Sequence, residues 1–138
     1  MAGERALIPA SRNYSVMSAN SYFAPANAEE KLSWHVEVVE PREAIYVILG
    51  NLAATGDGVH CSVVAMSILD NDSVSAEGDA PTYEEISRAL PDSYLMHGLY
   101  DTAAAAARSS ASILGRGPLV PSITPEAKIT KHKTVGAS

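Results

Sequence analysis

The sequence is poor in the residues that most often carry chemistry or covalent cross-links. It has 138 residues and one cysteine, Cys61, which excludes an internal disulfide framework and fits a reducing compartment. Its histidines, His35, His60, His97 and His132, stand at neither H-x3-H nor H-E-x-x-H spacing, and one cysteine cannot make a zinc knuckle. No catalytic residue, metal ligand or cofactor is predicted. Basic side chains are few, 10 against 16 acidic ones, and the net charge of −6 disfavours nonspecific binding to nucleic acid. Long apolar runs are also missing: the longest nearly uncharged one, residues 44–54, is too short to span a bilayer. The first residues lack the basic and apolar regions of a signal peptide, so a cytoplasmic setting is expected, with no membrane partner.

What the chain does have is apolar content: 46% of residues, enough for one domain with a core of its own. Residues 1–13 show no period and read as a flexible arm; residues 14–129 read as a single α+β domain. Residues 14–24 suit an extended strand stopped by Pro25. From Leu32, alternate residues Leu32, Trp34, Val36 and Val38 share one face, the period of a half-buried strand that Pro41 is expected to break. Residues 44–49 (AIYVIL) predict a strand buried on both faces. Thr55-Gly56-Asp57-Gly58 is the strongest turn signal, and Val59, Cys61, Val63 and Ala65 alternate after it, so an antiparallel hairpin is expected.

Residues 70–80 read as a loop. Thr82 and Glu85 fit a capping box for a short helix ending near Leu90, and Asp92 or Ser93 is placed to cap a longer one beyond Pro91. In that helix Leu95, Met96, Leu99, Tyr100 and Ala103 form one apolar stripe. Gly115-Arg116-Gly117-Pro118 ends it, and Pro121 and Pro125 keep the following residues extended, docked on the body. Residues 130–138 read as a disordered basic tail. Strands come first and helices after, the order of an α+β fold with helices on one side of an antiparallel sheet.

The chemical constellations fail one by one. Cys61 sits in a strand pattern with no positioned base. Asp70-Asn71-Asp72 opens like a calcium loop but continues with Val74 and Ser75 where ligand and glycine belong. Gly115-x-Gly117 has no third glycine and no following helix, and no G-x-S-x-G occurs. The small residues from Ala103 to Ser112 suit either a seam against another subunit or close packing on the chain's own sheet.

Three short patches resemble SecB, the bacterial export chaperone, and its relatives associated with toxin–antitoxin systems. Leu95 to Asp101 lies where that family has its L-x-P-Y-x-R-E-like helix segment. Arg116-Gly117 and Pro121-x-Ile123-x-Pro125 are similar to the family's R-G-x-x-P-x-L-x-L-x-P, and Ser21-Tyr22-Phe23-Ala24-Pro25 followed by Trp34 to its S-F-x-x-P and tryptophan. The helix lacks the proline before its tyrosine, Asp101 replaces an arginine, and the tail is basic where the family's is acidic or zinc-binding. A SecA-type motor is therefore not carried over. The resemblance implies a four-stranded antiparallel sheet with a long helix packed across it, assembled as a homotetramer, a dimer of dimers. It implies an ATP-independent holdase whose apolar groove takes unfolded client polypeptide or an antitoxin-like protein. Phe23, Trp34, Tyr46, Met96 and Tyr100 are the expected client-binding residues; Leu99, Ala103, Ala106, Ala107 and Ser110 are the expected oligomer interface. The alternative is a non-enzymatic structural or interaction protein on the same scaffold, for example in phage assembly or host modulation, and a small-molecule site between sheet and helix is a third reading.

Overall fold

The computed structural model describes residues 13–25, 27–42, 45–69 and 83–132. Five strands form one sheet in the order β1-β4-β3-β2-β5: β1 (Ser15–Phe23), β2 (Lys31–Arg42), β3 (Ile45–Gly56), β4 (Val59–Leu69) and β5 (Lys128–His132). Between β4 and β5 come helix α1 (Tyr83–Ala89), a 3-10 turn (Leu90–Asp92) and helix α2 (Tyr94–Ser112). The first four strands pair antiparallel, and α2 packs on β4, β1 and β3. The expected sheet crossed by a long helix is therefore what forms.

The hairpin follows from local chemistry. Asp57 and Gly58 both take positive φ, 53° and 73°, so the β3–β4 turn has the reversed twist that matches the strands. Alternation then does the rest. In β4, Val59, Cys61, Val63, Ala65, Ser67 and Leu69 face inward and the residues between them are half-buried or exposed. Ser67, the one polar member of that set, donates to the Asn13 carbonyl at 3.1 Å, which ties the last residue of the expected arm to the sheet. On α2 the whole predicted stripe is buried: Leu95, Met96, Leu99, Tyr100 and Ala103. Ser93 is the N-cap, its hydroxyl accepting from Met96 N at 3.1 Å and donating to Leu90 O at 2.7 Å.

Four expectations need correction. β2 runs through Pro41 to Arg42, with its register shifting after Val39. β3 is twelve residues long, not six, and buries one face only. Tyr46, Ile48, Gly50, Leu52 and Ala54 point to the core while Val47 and Leu49 stay half-buried, because among the described residues no second layer covers the other face. The sheet has a fifth strand, β5, parallel to β2, with His35 opposite Lys128 and Val39 opposite His132. Thr130, Lys131 and His132 thus belong to the sheet and not to a tail: Thr130 shares a 2.8 Å hydrogen bond with His35, and the Lys131 ammonium lies 4.8 Å from the Tyr83 ring centre. The residue 70–80 loop, the Thr82 cap and residues 133–138 lie outside the described residues. No described helix is long and apolar enough to cross a membrane.

Candidate functional site

Helix α2 covers β1, β4 and β3, which leaves the β2 side of the inner sheet face to be closed by something else. What closes it is the proline-punctuated segment 115–127. After Ser112 the chain turns, Gly115 taking φ 80°, and doubles back along the helix. Gly117 lies against Ala111, where a Cβ would stand only 2.6 Å from the alanine methyl. Arg108 then donates to the carbonyls of Val120 (2.9 Å) and Pro121 (3.4 Å). The Tyr100 hydroxyl donates to Pro121 O at 2.7 Å, and His97 shares a 2.8 Å hydrogen bond with Thr124. The partners step down the helix from residue 111 to 97 as the segment advances from 117 to 124, so this strap runs antiparallel to α2.

Beneath it lies Trp34. Its indole reaches across Gly50, whose missing side chain is what admits the ring, and meets the Tyr100 ring edge-on at 5.2 Å and 81°. Trp34 is 4% exposed and Tyr100 is fully buried. The indole N–H finds no hydrogen-bond partner among the described residues, an expensive state for a buried donor. Burial pushes the Tyr100 hydroxyl above the ordinary tyrosine range; Arg108 opposes that shift and Asp101 adds to it.

An open groove flanks the strap at each end. A groove of about 570 Å3 lies at the hairpin end, between Leu32 and Gly56 on the sheet and Pro118 and Leu119 on the strap. A second, of about 290 Å3, lies where Met96 and His97 face Thr124 and Ala127. Apolar side chains stand out around them: Leu119 is 93% exposed and Ile123 82%.

Of the five expected client-binding residues the structure gathers three. Trp34, Tyr100 and, one helical turn away, Met96 share the strapped cleft, but all are buried and present no open surface. Tyr46 is buried at the far end of β3, where burial, with Glu40, Glu84 and Glu85 nearby, raises its hydroxyl pKa. Phe23 is exposed on β1, separated from β2 by two strands, under the Arg116 guanidinium at 5.6 Å. The expected interface residues divide similarly. Leu99, Ala103 and Ala107 are buried in this chain's own core; Ala106 packs half-buried against it, and Ser110 shares a 2.8 Å hydrogen bond with Ser21 of β1. The small residues of α2 thus let the helix lie close on its own sheet; the face left outward holds Asp101, Ala105, Arg108 and Ser109. Arg108 was not singled out in the sequence, and Pro121 was read only as keeping its segment extended, not as the carbonyl that Tyr100 and Arg108 hold. Their only signal is the Pro118, Pro121, Pro125 spacing, which forbids a regular element and so marks a segment that must satisfy itself on other surfaces. Among the described residues no group of three or more His, Cys, Asp or Glu side chains is placed to hold a metal ion.

No family profile matches the sequence, and no curated protein sequence matches it. A solved structure does match in shape. It is the Mycobacterium tuberculosis SecB-like chaperone Rv1957, in complex with a ChAD peptide from the HigA1 antitoxin Rv1956. The two chains are 17% identical and superpose with a TM-score of 0.61, over 82% of this chain and 88% of the other. At that identity the likeness speaks for architecture, and the protein described here has a SecB-like fold.

Proposed function

We propose that this protein is a SecB-like chaperone that holds extended segments of unfolded or partly folded clients without nucleotide. The observation that carries the reading is the strapped cleft on a SecB-like sheet: a buried Trp34–Tyr100 pair with an open groove at either end. Such a cleft suits apolar segments of many sequences, because burial of apolar surface, about 25 cal/mol per Å2, is not sequence-specific. Several weak contacts along one client add up through effective concentration. The structural neighbour was solved with an antitoxin peptide, which supports an antitoxin-like protein as one class of client. The reading places the protein in the cytoplasm, as a dimer of dimers. The outward small-residue face of α2, at Ala105 and Ser109, suits a subunit contact better than the buried Leu99, Ala103 and Ala107 do.

The test is fluorescence anisotropy of a labelled polypeptide, measured once in a permanently unfolded form and once folded. The unfolded form is expected to bind at micromolar protein without nucleotide and the folded form not to bind. Equal binding of both, or of neither, would remove the chaperone reading. One tight partner bound only in its folded state would favour an interaction protein instead.

A further inference from the structure

We propose that the strap is the cleft's resident ligand: residues 117–124 occupy the path that an extended client segment takes, and the client enters by displacing them. This rests on the reading of the cleft as the client site and adds how that site is filled and closed.

Three observations carry it. The strap is bound like a peptide and not like an element of the fold. Among the described residues, 116–124 make no backbone–backbone hydrogen bond outside the chain's helices and strands; the segment is held by side chains of α2 reaching two of its carbonyls and one of its hydroxyls. Val120 packs against the core while Leu119 and Ile123 point to solvent, so much of its apolar surface is unburied. A segment with few buried contacts and no ladder belongs to the least stable part of a structure. Second, an open groove flanks the strap at each end, the Leu32–Pro118 groove and the Met96–Thr124 groove, so an extended chain longer than the strap has room on either side of it. Third, the closed state leaves the Trp34 N–H buried and without a partner among the described residues, a cost that an opened state admitting water or a client carbonyl would relieve.

The strap also states what the cleft accepts. Its sequence there is Gly117-Pro118-Leu119-Val120-Pro121-Ser122-Ile123-Thr124. An occupant needs an extended backbone, an apolar side chain directed to the core as Val120 is, and a free carbonyl for the Tyr100 hydroxyl. Proline serves well, because it holds the chain extended and has no N–H to leave unpaired. The client class is therefore an extended, apolar peptide segment that tolerates proline. Because the resident strap competes, the apparent affinity is the intrinsic one multiplied by the open fraction.

The experiment uses the full chain and a synthetic peptide copying residues 116–125, read by the fluorescence of Trp34, the protein's single tryptophan. Arg108→Ala and His97→Ala each remove a latch from an exposed position, so both variants are expected to fold. In each, Trp34 should become more accessible to acrylamide and its emission should move to longer wavelength. The peptide should bind Arg108→Ala roughly fivefold more tightly than wild type, the effect of one net hydrogen bond lost from the competitor. A peptide with Asp in place of Val120 and Pro121 should not bind. Unchanged quenching in both variants, or peptide affinity equal in wild type and variants, overturns the proposal. The same variants are assayed for binding the labelled unfolded polypeptide. Binding that persists with Trp34 silent overturns the strap proposal and leaves the chaperone reading in place. Peptide exchange without any binding of unfolded polypeptide does the reverse.

Discussion

Replacing Gly50 with alanine tests the seat of Trp34 directly. In the middle of a strand this change is ordinarily favourable, because glycine loses about 0.5–1 kcal/mol more chain entropy on folding than alanine. Here the new Cβ would collide with the end of the Trp34 ring and stand 3.0 Å from two carbons of Leu99. Neither neighbour has room to yield: Trp34 is 4% exposed, Leu99 is fully buried, and Tyr100 abuts the indole edge-on. Overpacking of this kind costs about 1–3 kcal/mol. The steric cost exceeds the entropic gain, and the net loss is about 1–2 kcal/mol, a fall in Tm of roughly 3–8 °C for a domain of this size. The assay is thermal and urea unfolding followed by far-UV circular dichroism. Trp34→Phe supplies the second side of a double-mutant cycle: with the ring shortened, alanine at residue 50 should cost less than in the wild-type background, with a coupling of about 1 kcal/mol or more. A Gly50→Ala protein as stable as wild type, with no coupling to Trp34→Phe, would refute this packing and with it the description of the cleft floor.

Two further outcomes follow from other parts of the structure. Ser93→Ala removes the side-chain cap of α2 and should lower stability by about 1 kcal/mol in urea unfolding, since Met96 N loses its partner while Leu90 O keeps only the backbone N–H of residue 93; no change would mean that the helix start is held by other contacts. The Cys61, Tyr46 and Tyr100 pKa values are all raised by burial, from ordinary values of 9.0, 10.0 and 10.0. The unfolded chain therefore releases these protons first, so the stability they contribute is complete below about pH 9 and is lost as pH rises from there. Urea midpoints should fall steadily above pH 9, and less steeply for a Tyr46→Phe, Tyr100→Phe protein above pH 10; parallel slopes would place the alkaline loss elsewhere.

The parts of this structure that were legible in the sequence are those set by local pattern. The Gly56-Asp57-Gly58 turn forces a hairpin because two successive positive φ angles suit few other residues, and the alternation of β4 fixes which face is inward. The α2 stripe was legible for the same reason at period 3.6. β5 was not: Lys-Ile-Thr-Lys-His is polar and short, and its strand state comes from pairing with β2, about ninety residues away. The burial of Trp34 and Tyr100 was hidden similarly. An aromatic on an apolar face reads as core or as open groove alike, and the difference is made by a strap with no period of its own. The small residues of α2 posed a choice between a subunit seam and the chain's own sheet, and the register of β1 and β4 beneath the helix decides it for Ala103 and Ala107.

The central claim is that this protein keeps unfolded chains from aggregating by binding them. It is tested most directly by light scattering from an aggregating unfolded client, with the protein titrated in, no nucleotide present and its native mass measured in the same buffer. Suppression complete near one assembly of about four subunits per client chain is the expected result. Undiminished scattering at excess of a folded protein of known mass would contradict the account.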